Sequence, residues 1–255
     1  MVVRFVKMHG AGNDFVMVDA RHVAIPQKAE IARLANRPDG IGCEGVIFVE
    51  SSKRLDFKMR FFNPDGGEAE LCGNGARCVA AFAYAIGAVK TSKMRFETLA
   101  GDIDAEVLSD SLVKIAMPPP KDLRHNFVNS GVPHAIVPVE ALDEVDVSVK
   151  GRKIRYSDEF APAGTNVDFV HFTLPSRVDI RTYERGVEAE SFACGTGAVA
   201  SAIVGVKEYG LAFPVKVVTK RGSELIIGGE YDGNEFRSIT LTGPVQRVFE
   251  GELPL

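Results

Sequence analysis

The sequence predicts an α/β (α+β) protein made of two similar domains, each a strongly curved mixed sheet around one buried apolar helix. Three observations lead there. Alternating apolar and polar runs read as short strands at 3–8, 45–50, 56–61, 93–97, 112–116, 135–138, 167–172, 215–219 and 224–227. Two alanine-rich segments, 76–88 and 196–209, are apolar nearly all round and end at Gly87 and Gly210 as helices often do. A helix without a polar face has to be buried, so each is expected to run through the middle of a sheet. Finally, Gly67-Glu68-Ala69-Glu70-Leu71-Cys72-Gly73-Asn74-Gly75-Ala76 recurs, with a few inserted residues, in Gly186 to Ala198, and both copies lead into one of the two helices. A repeat of such long period indicates two facing domains and excludes a solenoid.

A chain of 255 residues suffices for two small domains. The run Pro118-Pro119-Pro120 with Lys121 and Asp122 is the linker candidate, which divides the chain into 1–117 and 118–245, with 246–255 returning to the first domain. Hydrophobic residues are 45% and charged ones 25%, as in an ordinary globular protein. A net charge of −4 with no basic run makes nucleic acid and anionic membrane poor partners. Residues 1–10 alternate like a strand and lack the apolar core and cleavage site of a signal peptide. No apolar stretch approaches a membrane span, so a cytoplasmic location is expected.

The four cysteines are Cys43, Cys72, Cys78 and Cys194. In a reducing compartment two disulfides are not expected. Metal-ligand spacing is absent, because Cys72 and Cys78 are six positions apart and no second pair accompanies them. Cys43 in a glycine-rich turn and Cys78 inside the apolar helix read as small buried hydrophobes. Cys72 and Cys194 differ from them, since each opens a duplicated Cys-Gly-x-Gly turn before a helix. Glycines let the chain approach a ligand closely. The helix offers free N–H groups and the positive end of its dipole, a site for a carboxylate and for a thiolate of depressed pKa. Two such ends across a cleft would hold one carboxylate with a sulfur on each face of the adjacent carbon. That arrangement suits proton abstraction α to a carboxylate, one cysteine acting as thiolate base and the other as thiol acid, so that the centre inverts. The N–H groups would stabilise charge gathering on the carboxylate, and no electron-sink cofactor is required.

With those turns in view, the chain resembles the diaminopimelate epimerase family. The motifs are His9-Gly10-Ala11-Gly12-Asn13-Asp14-Phe15, Phe62-Asn63-Pro64-Asp65-Gly66, Cys72 to Cys78, Gly164-Thr165-Asn166-Val167, Glu184-Arg185-Gly186 and Ala193-Cys194-Gly195-Thr196-Gly197, in order over essentially the whole chain. The resemblance implies two barrel-like domains with the active site between them, a homodimer, and a reaction without pyridoxal phosphate or metal. That reaction converts LL- to meso-diaminopimelate for lysine and cell-wall synthesis. It implies Cys72 and Cys194 as the acid/base pair, with Gly73, Asn74, Gly195 and Thr196 cradling the reacting carboxylate. Asn13, Asn63, Asn166 and Arg185 would grip the amino-acid substrate, Arg185 at the distal carboxylate, and Glu184 and His134 would tune proton traffic. Three departures stand out. Val132 precedes Pro133-His134 where the family usually has a substrate-contacting asparagine; Glu188-Ala189 replaces an expected glycine in a segment one residue longer; and Glu44 replaces an aspartate.

Taken singly, Asn13, Asn63 and Asn166 also sit where asparagine serves turns. Proline racemases and hydroxyproline epimerases use a cysteine pair on this fold, but with histidine where this chain has Asn74. Racemases of lysine or ornithine are further alternatives. A phenazine-type isomerase would lack the cysteines. From another class, the duplicated turns could bind an amino acid without catalysis, which selective alkylation of Cys72 and Cys194 would separate from an enzyme.

Overall fold

The computed structural model describes residues 2–70 and 72–254. It divides into two compact units: one runs to Ile115 and resumes at Gly243, and the other is Ala116–Thr242.

In the first unit the order is β1 (Val2–Gly10), β2 (Asn13–Asp19), α1 (Lys28–Ala35), β3 (Gly45–Glu50), β4 (Phe57–Phe62), β5 (Glu68–Ala69), α2 (Gly73–Ala85), β6 (Lys93–Thr98), β7 (Gly101–Ser109) and β8 (Leu112–Ala116). The C-terminal strand Gln246–Pro254 pairs antiparallel with β1, which pairs antiparallel with β2. From there β2 and β3 are parallel, β3 and β4 antiparallel, β4 and β6 parallel, and β6, β7 and β8 antiparallel in turn. The second unit repeats this order in β9 (Lys121–Arg124), β10 (Phe127–Asn129), β11 (Pro133–Pro138), α3 (Val147–Arg155), β12 (Asn166–Thr173), β13 (Arg177–Glu184), β14 (Ala189–Ser191), α4 (Gly195–Glu208), β15 (Val215–Thr219), β16 (Glu224–Tyr231) and β17 (Phe236–Pro244). Its pairings follow the same sequence of parallel and antiparallel steps. The duplication seen at the cysteine turns therefore extends to the strands and α-helices of the two units, while the short 3-10 turns at Leu142–Glu144 and Asp158–Phe160 belong, among the described residues, to the second alone.

Each apolar helix is held inside its own sheet. α2 touches β1, β2, β3 and β7, and α4 touches β10 to β13, β15 and β16. Ala198 to Val204 are buried without exception. Alanine and glycine on these helices let the strands close round them: a Cβ on Gly197 would lie 2.5 Å from Asp168 Oδ1. α2 starts three residues before its expected position and α4 one before, because the cysteines are the N-caps and the glycines fill the first turn.

Two helices escaped the sequence pattern. α1 buries only Ile31, Leu34 and Ala35, a three-residue stripe too short to stand out, and α3 buries only Val147 and Gly151. Asp146 caps α3 by accepting the Val149 N–H at 3.0 Å. α1 packs on the outer face of its sheet, where Phe5, Val16, Val18, Val46 and Phe48 join Ile31 and Leu34 in a second core layer. Within that layer Lys7 is buried at 5% exposure. It pairs with Asp14 at 2.5 Å and donates to the Gly42 carbonyl.

Removing one partner of a buried pair strands the other charge. Lys7→Met is expected to lower stability by about 3 kcal/mol in urea unfolding, while Arg4→Met, at an exposed pair with Glu252, should cost under about 1 kcal/mol.

Candidate active site

The site residues fall into two constellations, one in each unit. In the first, Cys72 is the N-cap of α2, and Gly73 and Asn74 form its first turn. Asn13 opens β2, where the β1–β2 hairpin brings its Nδ2 to 4.0 Å from Cys72 Sγ. Its Oδ1 is buried without a hydrogen-bond partner, as a residue poised for a ligand amine or ammonium would be. Asn63 is different. It is exposed in the turn after β4, where its N–H donates to the Gly67 carbonyl at 2.8 Å and its own carbonyl accepts from Gly66. Cys78 is fully buried, which pushes its thiol up to about 12, and burial also raises Cys43; both behave as packing residues.

In the second unit Cys194 is the N-cap of α4, beside Gly195 and Thr196. Cys194 Sγ lies 3.3 Å from Thr196 Oγ1, which is 2.9 Å from His134 Nε2. His134 Nδ1 is 2.6 Å from Asp168 Oδ2, and the Thr182 hydroxyl donates to Asp168 Oδ1 at 2.6 Å. His134 and Asp168 are both fully buried. With Nδ1–H directed at the carboxylate, a neutral imidazole presents Nε2 as acceptor to the Thr196 O–H, and Thr196 Oγ1 can then accept from the Cys194 thiol. The chain of groups from Cys194 to Asp168 is thus set up to hold a proton on sulfur.

The electrostatics agree with that direction. Burial first, then the Glu184 and Asp168 carboxylates, push the Cys194 thiol well above its ordinary value. The sequence led to the opposite expectation, a depressed pKa at a helix N-terminus. The dipole is worth about half a charge there, and desolvation with two nearby carboxylates outweighs it. Glu184 is half-buried, and its desolvation raises its pKa.

Asn166 and Arg185 act on each other. Asn166 Oδ1 accepts the Arg185 backbone N–H at 2.8 Å, and its Nδ2 donates to the Pro133 carbonyl at 3.1 Å. The amide thus ties the strand end carrying Arg185 to Pro133 at the start of β11, between His134 and the loop that precedes the strand. Val132 is half-buried in that loop, whose Ser130 donates to the Thr196 carbonyl at 2.8 Å. The longer segment after Glu184 is absorbed in a hairpin turn with Glu188 at φ +57°. A non-glycine residue there costs about 1–2 kcal/mol. Its carboxylate accepts from the Gly186 N–H at 3.0 Å and pairs with Arg155, which holds the turn.

Asp168 and Thr182 were not singled out from the sequence. The signal for Asp168 was present: an acid within the otherwise apolar run Val167-Asp168-Phe169-Val170 has to be buried with a partner. Among the described residues no three His, Cys, Asp or Glu side chains cluster as metal ligands, and no helix is long and apolar enough to cross a membrane.

A sequence model of the diaminopimelate epimerase family matches residues 5–122 and 126–248. The diaminopimelate epimerase of Aquifex aeolicus is 41% identical, covering 98% of both chains. That of Chlorobaculum tepidum is 40% identical over 97% of this chain and all of its own. In fold the chain is similar to a PhzF-family phenazine biosynthesis protein from Bacillus anthracis (TM-score 0.76, 17% identity, all of both chains). It is also similar to a probable proline racemase from Agrobacterium radiobacter K84 (TM-score 0.72, 17% identity, 99% and 93% covered).

Since Cys194 is held as a thiol, its iodoacetamide labelling at pH 7, read by peptide mass spectrometry, should be at least ~10-fold slower than that of an unstructured cysteine peptide. The rate should climb only as pH passes above the ordinary thiol range. Asp168→Asn removes a negative charge and should shift the rise to lower pH.

Proposed function

The chain belongs to the diaminopimelate epimerase family, and we propose that it converts LL- to meso-diaminopimelate by a two-base mechanism in which Cys72 and Cys194 exchange a proton at one Cα. The observation that carries this is the duplicated N-cap: in each unit a cysteine opens the helix buried inside the sheet, with a Gly-x-Gly turn behind it. Every helix leaves its first N–H groups without intrahelical acceptors, and a carboxylate is the natural ligand for them. One thiolate removes the Cα proton. The carbanion-like charge spreads onto the carboxylate, where the N–H groups stabilise it, and the second thiol delivers a proton to the other face. The thiol and thiolate have then exchanged roles, and the reaction runs back by the same path.

In this scheme Asn13, Asn63, Asn166 and Arg185 handle the rest of the substrate, with Arg185 as a planar donor to the distal carboxylate. His134, Thr196 and Glu184 govern when Cys194 releases its proton. Val132 leaves that end with one polar contact fewer than is usual in the family. The chemistry needs no pyridoxal phosphate or metal, since the N–H groups take the place of the electron sink. Family membership supports a cytoplasmic homodimer whose only ligand is an amino acid.

Incubation with LL-diaminopimelate in D2O, without pyridoxal phosphate, should give Cα–H loss by NMR together with meso product by chiral chromatography. Cys72→Ala and Cys194→Ala should each reduce turnover by about 10²–10⁴-fold. Exchange with lysine, ornithine or proline but not with diaminopimelate would reassign the substrate, and silence on all of them would remove the catalytic proposal.

A further inference from the structure

The two halves share a backbone plan but not a charge plan. Five residues after Cys72 the α2 helix carries Arg77; five residues after Cys194 the α4 helix carries Val199. Arg77 is fully buried. Its Nη2 donates to Asn74 Oδ1 at 2.7 Å and its Nη1 to the Gly73 carbonyl at 3.3 Å, both within the first turn of its own helix. Its Nε is buried without a partner, and among the described residues no carboxylate pairs with it. β1 presses against it: a Cβ on Gly10 would meet Asn74 O at 3.0 Å, Cys78 Sγ at 3.3 Å and Arg77 Nη2 at 3.4 Å.

This is a costly placement on three counts. A buried guanidinium is desolvated, a cation at a helix N-terminus opposes the dipole, and its donors are only partly satisfied by neutral oxygens. An anion close to the first turn of α2 would offset all three. The chemistry supplies one there, because Cys72 is the N-cap of that turn.

We propose that Arg77 is the positioning cation that holds Cys72 as the resting thiolate, while the carboxylates of the second unit hold Cys194 as the resting thiol. This role deepens the two-base proposal above and rests on it. Arg77 acts through Cys72 and through Asn74, whose amide it orients. Burial lowers the Arg77 pKa, and a thiolate at Cys72 acts in the opposite direction.

The other ionisable groups on elements against α2 leave that assignment intact. Cys78, on the helix itself, is pushed up to about 12 and stays protonated. Lys7 on β1 and Asp14 on β2 neutralise each other, Arg4 on β1 pairs with Glu252, and Asp19 on β2 pairs with Arg21. On β3, Glu50 pairs with Lys58 and Arg60. On β7, Asp102, Asp104 and Glu106 pair with Arg54, Arg95, Lys93 and Lys114. His9 on β1 remains, with a buried Nδ1 that has no hydrogen-bond partner, and as a cation it would act in the same sense as Arg77.

The test is the pH dependence of iodoacetamide labelling at Cys72 and Cys194, resolved by peptide mass spectrometry, in the wild-type protein, Arg77→Met and Arg77→Lys. In the wild type Cys72 should label first, at least ~10-fold faster than Cys194 at pH 7. Arg77→Met should slow Cys72 labelling at pH 7 by ~10-fold or more, with its midpoint moved up by about one pH unit and Cys194 unmoved. The acidic limb of kcat/KM should move with it, and Arg77→Lys should restore most of the shift. A folded Arg77→Met protein with an unmoved Cys72 midpoint would overturn the proposal, as would a wild type in which Cys194 labels first. The second outcome needs no variant, so it decides the matter even if Arg77→Met fails to fold. Labelling does not require turnover, so normal labelling with no exchange of diaminopimelate would count against the epimerase assignment and not against Arg77.

Discussion

Two helices that have no polar face dominate this molecule. An α-helix of alanine, valine and glycine can be kept from water only by surrounding it, and each unit does so with a mixed sheet of short strands. Once a helix is enclosed, its N-terminus becomes its most consequential end. The backbone N–H groups there cannot be satisfied within the helix, and the enclosing strands leave the capping cysteine half-buried with Asn74, Gly75, Gly195 and Gly197 buried behind the two caps. The position of the two capping cysteines follows from the packing problem.

The same enclosure makes charge expensive, so the charged groups that do occur near these ends have large effects. In the second unit Asp168 sits where Gly197 gives it room, fixes His134, and adds its negative charge to that of Glu184 around Cys194. The first unit has a guanidinium in the corresponding neighbourhood. Duplication supplied two copies of one backbone, and a few buried substitutions have given the copies opposite electrostatic character. A two-base inversion needs that inequality, since one group must begin without its proton and the other with it.

Much of this was legible in the chain. The cysteine turns, the two apolar helices and half of the strands follow from periodicity and glycine placement, because those patterns reflect local geometry and burial. What was missed has a common cause. α1 and α3 bury too few residues to leave a helical stripe, and β13 and β17 mix charged and apolar positions because their outward faces carry ion pairs such as Arg177–Asp179. The Asn166 motif does not show that its amide bonds the Arg185 N–H and the Pro133 carbonyl. Asn63 lies exposed in its turn. Motifs name residues but do not say which end of an amide is already used.

By itself the sequence determined the fold class and the duplication of the cysteine turns, because both depend on residue type and spacing along the chain. Only the tertiary structure decided the surroundings of Cys194, the partners of Asp168 and the burial of Arg77. These depend on how far a group is from water and on which charges lie within a few ångströms. Those distances are set by strands remote in sequence: Asp168 and His134 are 34 residues apart in the chain and 2.6 Å apart in the fold. Desolvation and Coulomb energy act through space, and spacing along the chain carries neither.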